Sequence, residues 1–273
     1  MNSLNRLEGK VALVTGAARG QGRSHAVRFA EEGADIIALD WCTDNDILSY
    51  ALATEADLDE TVRLVESLDR RIVSAKADVR DAESVRGALA PAVAELGHLD
   101  IVCANAGIST GQAATDVTPH VWEQTIATNL TGVWNAFTVA LPYLIANGGG
   151  SMIATGSTAG VKGLPFFGPY TASKFGVVGI AKSLANEFAP HNIRVNVVHP
   201  TGVYTPLRDG LFESGLNELI RSNDSYGAIF MNTLPVQAVD PVDISNAMVY
   251  LASDESRYVT GVELSVDAGN TIR

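Results

Sequence analysis

The sequence predicts an α/β fold: a doubly wound parallel sheet of about seven strands with helices on both faces. Three observations predict it. Apolar runs of strand length recur, and the first, 10–15, lacks polar alternation, as a strand covered on both faces requires. These runs alternate with stretches of helical periodicity along the whole chain, which implies parallel strands joined by crossover helices. A hydrophobic content of 47% and a charged content of 18% suit a large buried core. The 273 residues show no linker, repeat or low-complexity tract, so 1–273 reads as one domain.

The elements follow in order. Strand 10–15 runs into a Gly-rich turn, Thr15-Gly16-Ala17-Ala18-Arg19-Gly20-Gln21-Gly22, and then a helix over 23–32 that Gly33 ends. The next strand, 35–39, stops at Asp40. In this βαβ unit the glycines permit a tight turn and close backbone approach, and the helix N-terminus offers N–H groups to a pyrophosphate. The spacing is Gly-x-x-x-Gly-x-Gly rather than Gly-x-Gly-x-x-Gly, and alone it is equally a plain turn. Asp40, at the strand tip, can accept from an adenosine ribose and would repel a 2′-phosphate, which favours NAD over NADP. Arg19 dissents, since it could pair a phosphate.

A connection at about 41–59 is longer than the unit needs and carries Trp41 and Tyr50. Helix 58–69, strand 72–77 ending at Asp78-Val79, helix 82–96 and strand 99–103 follow. That strand runs into Ala104-Asn105-Ala106-Gly107, small residues that suit a strand tip against a flat ring or, equally, a turn. Pro119 opens a predicted helix through 146, with Asn129 in its middle. Asn is a poor interior helix residue and Gly132 weakens the stretch again, although a structural Asn explains it too. Strand 151–155 leads to Ser157, helix 168–189 carries Tyr170 and Lys174, and strand 193–198 ends at His199-Pro200. Residues 203–235 are irregular and rich in apolar side chains, and read as a lid over an apolar pocket. A helix over 242–251 and a strand over 262–266 close the chain.

Tyr170 and Lys174, one helical turn apart, share a face. An ammonium beside a phenol favours phenolate and pulls its pKa down, which makes an acid/base pair. Ser157, thirteen residues before Tyr170, could hold a substrate oxygen. Chance also supplies Tyr-x-x-x-Lys, and Ser157 reads equally as a turn residue. The pair means chemistry only if a reactant sits beside it, and strand-end convergence in a doubly wound sheet brings Asp40, Asp78, Asn105, Ser157 and Thr205 to one cleft.

Other classes are excluded. A net charge of −12 argues against nucleic acid and anionic membrane as partners. No apolar run reaches transmembrane length, and the N-terminus 1–6 lacks a signal core. Cys42 and Cys103 and the five histidines (His25, His98, His120, His191, His199) show no ligand spacing; no metal is expected, and the histidines read as structural or surface residues. A reduced, cytoplasmic protein is the simplest reading.

Taken together, Thr15 to Gly22, Asp78-Val79, Asn105-Ala106-Gly107, Asn129, Ser157, Tyr170-x-x-x-Lys174, and Pro200 with Thr205 resemble the short-chain dehydrogenase/reductase (SDR) family, a Rossmann-type fold, from about Gly9 to Gly269. The resemblance implies that Tyr170 exchanges a proton with the substrate oxygen, Ser157 hydrogen-bonds that oxygen, and Lys174 serves the phenol and the nicotinamide ribose. It implies a proton-relay water at Asn129, adenine flanked by Asp78 and Val79, and nicotinamide contacts from Val203 and Thr205. Gly16, Arg19, Gly20, Gln21, Gly22, Asp40, Trp41, Asn105, Ala106, Gly107, Pro200 and Thr201 complete the implied cofactor set. Two departures stand out: Ala104 replaces the first Asn of the family's Asn-Asn-Ala-Gly, and Pro200-Thr201 replaces Pro-Gly. Residues 16–25, the extended segment after Asp40, and 199–203 are further similar to the mycofactocin-associated, carveol-dehydrogenase-type branch. That branch implies tightly held NAD re-oxidised by a separate small redox carrier, and the family implies a homotetramer. The expected substrate is a hydrophobic secondary alcohol or ketone of terpenoid, steroid or alicyclic type. Alternatives on the same scaffold are a non-catalytic NAD-binding regulatory protein, a 3-oxoacyl-type reductase, and a dehydratase or epimerase.

Overall fold

A computed structural model describes residues 4–273; Met1 to Ser3 of the N-terminal reading lie outside the described residues. The elements run β1 (Val11–Thr15), α1 (Gly20–Glu31), β2 (Asp35–Asp40), α2 (Glu55–Glu66), β3 (Ile72–Lys76), α3 (Ala82–Leu96) and β4 (Ile101–Ala104). They continue through α4 (Pro119–Ile126), α5 (Gly132–Ala146), β5 (Gly150–Thr155), α6 (Gly168–Phe188) and β6 (Ile193–Pro200). The short helices α7 (Pro206–Leu211), α8 (Asn217–Arg221) and α9 (Asp224–Ile229) precede α10 (Pro241–Ala252) and β7 (Glu263–Val266).

All seven strands are parallel, in the order β3-β2-β1-β4-β5-β6-β7. The order reverses between β1 and β4, so their C-terminal ends leave a crevice at the switch point. Alternate side chains of the strands feed two cores. Leu13, Val102 and Met152 pack with Leu89, Phe137 and Val177 on one face. Val14, Ile101 and Ile153 pack with Phe29, Leu58 and Met248 on the other. A sheet buried on both faces is what the unbroken apolar runs require.

Two element starts that differ from the sequence reading have identifiable reasons. Helix α2 begins at Glu55, not 58, because Thr54 and Asp57 form a capping box whose polar residues hide the first turn. The long connection is therefore 41–54. Strand β4 begins at Ile101, because the Asp100 carboxylate takes the Val11 N–H at 2.9 Å.

The predicted helix 119–146 is helical throughout, but its middle, Ala127–Thr131, winds as a π turn. Tertiary bonds hold the bulge. The buried Asn129 side chain accepts from Ile108 N at 2.8 Å and donates to Ile108 O at 2.9 Å and Ser173 Oγ at 3.3 Å. Gly132 belongs to the same device: a Cβ there would lie 2.6 Å from Val79 Cγ2, so α5 could not approach β3's end with any other residue. π turns of this kind recur at functional sites.

Candidate active site

One cavity of about 350 Å³ lies beyond the C-terminal strand ends. Its polar end is built by the turn between β1 and α1. Gly22 has no freedom there: an added Cβ would stand 1.9 Å from Gly16 O. Helix α1 starts without a side-chain cap or an acidic residue in its first turn, which leaves a positive helix end facing the groove. At the tip of β2, Asp40 holds this turn in place, accepting from Ala18 N at 3.0 Å and Cys42 N at 3.1 Å. Asn105 stitches three strand tips together. It donates to Thr15 O at 3.0 Å, and Thr155 Oγ1 donates to its Oδ1 at 3.2 Å.

The far wall holds groups that sequence reasoning missed. Arg80 grips Asp78 through both carboxylate oxygens, at 2.9 and 2.6 Å, and lays its guanidinium 4.2 Å from the Trp41 ring centroid. The Asp78 carboxylate is thus committed to Arg80. Arg19 donates to Ala51 O at 2.7 Å, so in this structure it pins the 41–54 segment. Tyr50 of that segment donates to Ser109 O at 3.2 Å and abuts Gly210 of α7. The connection thereby bridges the groove from the β1 turn to the helices after β6.

At the other end the cavity is apolar. Phe167, Leu211 and Leu216 form a cluster with Leu164, Tyr170, Leu207, Phe212, Ile220 and Phe230. Phe166, apolar and next to Phe167, does not join this lining. Its φ of 70° turns it away, its ring packs edge-on to Tyr226 at 5.0 Å, and it backs the wall instead. Pro200, Thr201, Val203 and Thr205 follow the tip of β6 along the middle of the cavity. Thr201, where Gly was expected, donates to Asn232 Oδ1 at 2.8 Å and ties this loop to the end of the helical cover.

Between the two ends stand Ser157, Tyr170 and Lys174, all lining the cavity. Ser157 has an extended backbone, and its hydroxyl accepts from Ala159 N at 3.1 Å. Lys174 is buried, donates to Thr155 O at 2.7 Å, and has its Nζ 5.5 Å from the Tyr170 ring centroid. Tyr170 and Lys174 lie on one face of α6, as their spacing predicts, and the end of β5 brings Ser157 to them. Asn129 lies behind them, both atoms of its amide already engaged.

A family model for short chain dehydrogenases matches residues 10–215. The chain belongs to the short-chain dehydrogenase family. The (−)-trans-carveol dehydrogenase of Rhodococcus erythropolis is 46% identical over 98% of this chain and 99% of that protein. The carveol dehydrogenase of Mycobacterium avium, solved in complex with NAD, superposes with a TM-score of 0.91 at 49% identity, covering 98% of this chain and 99% of that one. A short chain dehydrogenase of Mycobacterium paratuberculosis bound to NAD gives a TM-score of 0.96 at 45% identity, covering 98% and 100%. Among the described residues, no helix is long and apolar enough to cross a membrane.

The electrostatics of this short-chain dehydrogenase correct one expectation. Burial pushes the Tyr170 phenol above its ordinary value, and the Ser157 hydroxyl facing it only partly counters that. Burial also pushes Lys174 down to about 8. Desolvation acts at full strength on both groups, while a lysine that is itself half-neutral near pH 8 lends less charge to the phenol. His199, read from sequence as structural or surface, is buried directly beneath Ser157. Both cysteines are free, and burial raises each thiol to about 12, which leaves them inert at neutral pH.

Proposed function

We propose that this protein interconverts a hydrophobic secondary alcohol and its ketone, with NAD exchanging the hydride and Tyr170 acting as general acid/base. The observation that carries this reading is the meeting of the Ser157 hydroxyl, the Tyr170 phenol and the Lys174 ammonium where the polar groove joins the apolar pocket. The groove suits NAD: a Gly turn without Cβ atoms, an uncapped helix end for the pyrophosphate, and Asp40 at the ribose position. A carboxylate at Asp40 would repel a 2′-phosphate, which favours NAD over NADP. NAD, when bound, supplies the carbon that accepts or returns the hydride.

The chain's own residues supply the proton half. In the oxidative direction Tyr170, as phenolate, takes the hydroxyl proton; in the reductive direction the phenol gives it to the carbonyl oxygen. Such transfer accounts for about 10²–10⁴-fold in rate. Ser157 donates to the oxygen whose charge grows in the transition state. Lys174 holds positive charge beside the phenol and faces the groove where a nicotinamide ribose would lie. Asn129 keeps Ile108 and Ser173 in place behind Tyr170, and a relay water there is supported only by its position.

The remaining features extend the reading. The apolar end, covered by 203–235 acting as a lid, takes a terpenoid, steroid or alicyclic alcohol; the relatives named for carveol, an alicyclic terpenoid alcohol, support that choice. The bridging segment 41–54 supports a cofactor held tightly and re-oxidised in place by a small redox carrier. Half-exposed Trp122, Trp134 and Phe175 on α4, α5 and α6 support a homotetramer. Free thiols support a cytoplasmic location. The test is a near-ultraviolet spectrum of the purified protein, loaded with NAD, before and after a panel of alcohols. Reduced nicotinamide should form with carveol or a similar alicyclic alcohol and not with short polar alcohols. A protein that binds NAD and reduces it with none of the panel would be a regulatory one.

A further inference from the structure

We propose that His199 is a positioning residue for Ser157, an inference that rests on the reading of Ser157 given above. His199 is the second-to-last residue of β6 and is fully buried. Its Nδ1 lies 2.7 Å from Ser157 O and 3.1 Å from Ser157 N, so the ring holds the serine main chain in either tautomer: Nδ1–H donates to Ser157 O, or bare Nδ1 accepts from Ser157 N. The fit is tight. A Cβ on Gly156 would stand 2.6 Å from Nδ1, and one on Gly160 would stand 3.1 Å from Cε1. The two glycines flanking Ser157 admit the imidazole beneath the turn.

The opposite nitrogen faces a charged pair. Nε2 is 3.3 Å from Glu263 Oε2 on β7, without the alignment of a hydrogen bond, and Glu263 Oε1 is 2.5 Å from Lys182 Nζ on α6. The ring is therefore set from behind by β7 and α6, and sets Ser157 in front. Lys174, the other charged group acting on the ring, lies on the same helix as Lys182.

Ser157 N has no other protein partner described, whereas Ser157 O also accepts from Gly160 N at 2.8 Å. The hydroxyl has its own anchor, Ala159 N. Ser157 backbone and side chain are thus held separately. Loss of the imidazole leaves the Ser157 main chain held only through Gly160 N on its carbonyl, so the turn loosens and carries the hydroxyl with it relative to Tyr170. A displacement of about 1 Å at such a point costs up to about a hundredfold in rate.

The test compares three variants by the single-turnover rate at which alcohol reduces bound nicotinamide. His199→Asn carries an amide to the place of Nδ1, His199→Gln carries one to the place of Nε2, and His199→Leu carries none. The rate should fall about tenfold to a hundredfold in the Leu and Gln variants and be largely restored in the Asn variant. NAD content and melting temperature should not follow that order. Equal behaviour of the Asn and Gln variants, which a merely structural histidine predicts, would overturn the proposal, as would an unchanged rate in all three. Should the Leu variant fail to fold, the Asn–Gln contrast still decides. Ser157→Ala is measured alongside. If it leaves the rate intact, the reading of Ser157 falls and this inference with it. If it lowers the rate, adding His199→Gln should cost little more, whereas multiplying effects would overturn the positioning role alone.

Discussion

Replacing Tyr50 by Ala should let the cofactor exchange faster. The ring sits in the 41–54 segment and touches two other parts of the chain: Ser109, through bonds of 3.2 and 3.3 Å to its main-chain O and N, and Gly210 on α7. Arg19 to Ala51 O, at 2.7 Å, is the next attachment along. A fully buried aromatic cut to Ala costs about 3–5 kcal/mol, and Tyr50 is only partly enclosed, so about 2 kcal/mol is the share that holds the segment down. At about 1.4 kcal/mol per decade, the open population rises about 30-fold. Tyr50→Phe loses only the hydroxyl bonds, about 1 kcal/mol, and gains about fivefold. The assay loads the protein with labelled NAD, removes the free nucleotide, adds excess unlabelled NAD and follows loss of label. Exchange should rank Tyr50→Ala above Tyr50→Phe above the parent. Equal exchange in all three, with the Ala variant folded, would refute the idea that this segment gates the groove.

Two further predictions concern pH. Lys174, pushed down to about 8 by burial, carries its charge below that pH and loses it above. Tyr170 is held above its ordinary value, so alcohol oxidation should rise with pH as phenolate forms. Because Lys174 is already neutral where the phenolate forms, Lys174→Met should leave the position of that rise unmoved to within about half a unit, read from the pH profile of single-turnover oxidation, and a shift of about a unit or more would contradict it. His25 is fully buried against Ser245 Oγ at 2.8 Å, and desolvation lowers it to about 3. Its unfolded form takes a proton below about 6.5 while the folded form does not, so stability falls as pH drops from about 6.5 towards 3. The loss from His25 between pH 7 and 5 works out at about 2 kcal/mol. His199, lowered as well, acts in the same direction, and Glu32, lowered to about 2 chiefly by its bond from Arg6, matters only below about pH 4.5. Denaturant titrations at pH 7 and 5 should show this slope shrink by His25's share in His25→Gln; an unchanged slope would contradict it.

The parts of the site that were legible in the sequence are those set by local spacing. The β1 turn and α1 are contiguous, Tyr170 and Lys174 are one turn apart on one helix, and strand-end residues converge by topology alone. What was hidden depends on contacts between distant segments. No periodicity distinguishes a π turn from an α turn at Asn129; Ile108 and Ser173 make it. Nothing local says that Arg19 reaches across to Ala51, or that Tyr50 reaches Ser109. Nor does anything local say that the positive φ of Phe166 turns its ring away from the cavity that the neighbouring Phe167 lines. A signal for His199 did exist: Gly156 and Gly160 flank Ser157 closely enough to admit a bulky neighbour beneath it. The pKa of Tyr170 was misjudged because charge proximity can be guessed from a sequence, whereas burial, which dominates here, cannot.

The central claim is that Tyr170 supplies the proton half of a hydride transfer without holding the cofactor itself. Tyr170→Phe tests it most directly, because the ring's packing against Phe167, 6.2 Å away edge-on, survives the change. With NAD content equal to that of the parent protein, the single-turnover rate of nicotinamide reduction by an alicyclic alcohol should fall by about 10²-fold or more. A Tyr170→Phe protein that reduces its NAD at the parent rate would contradict the account.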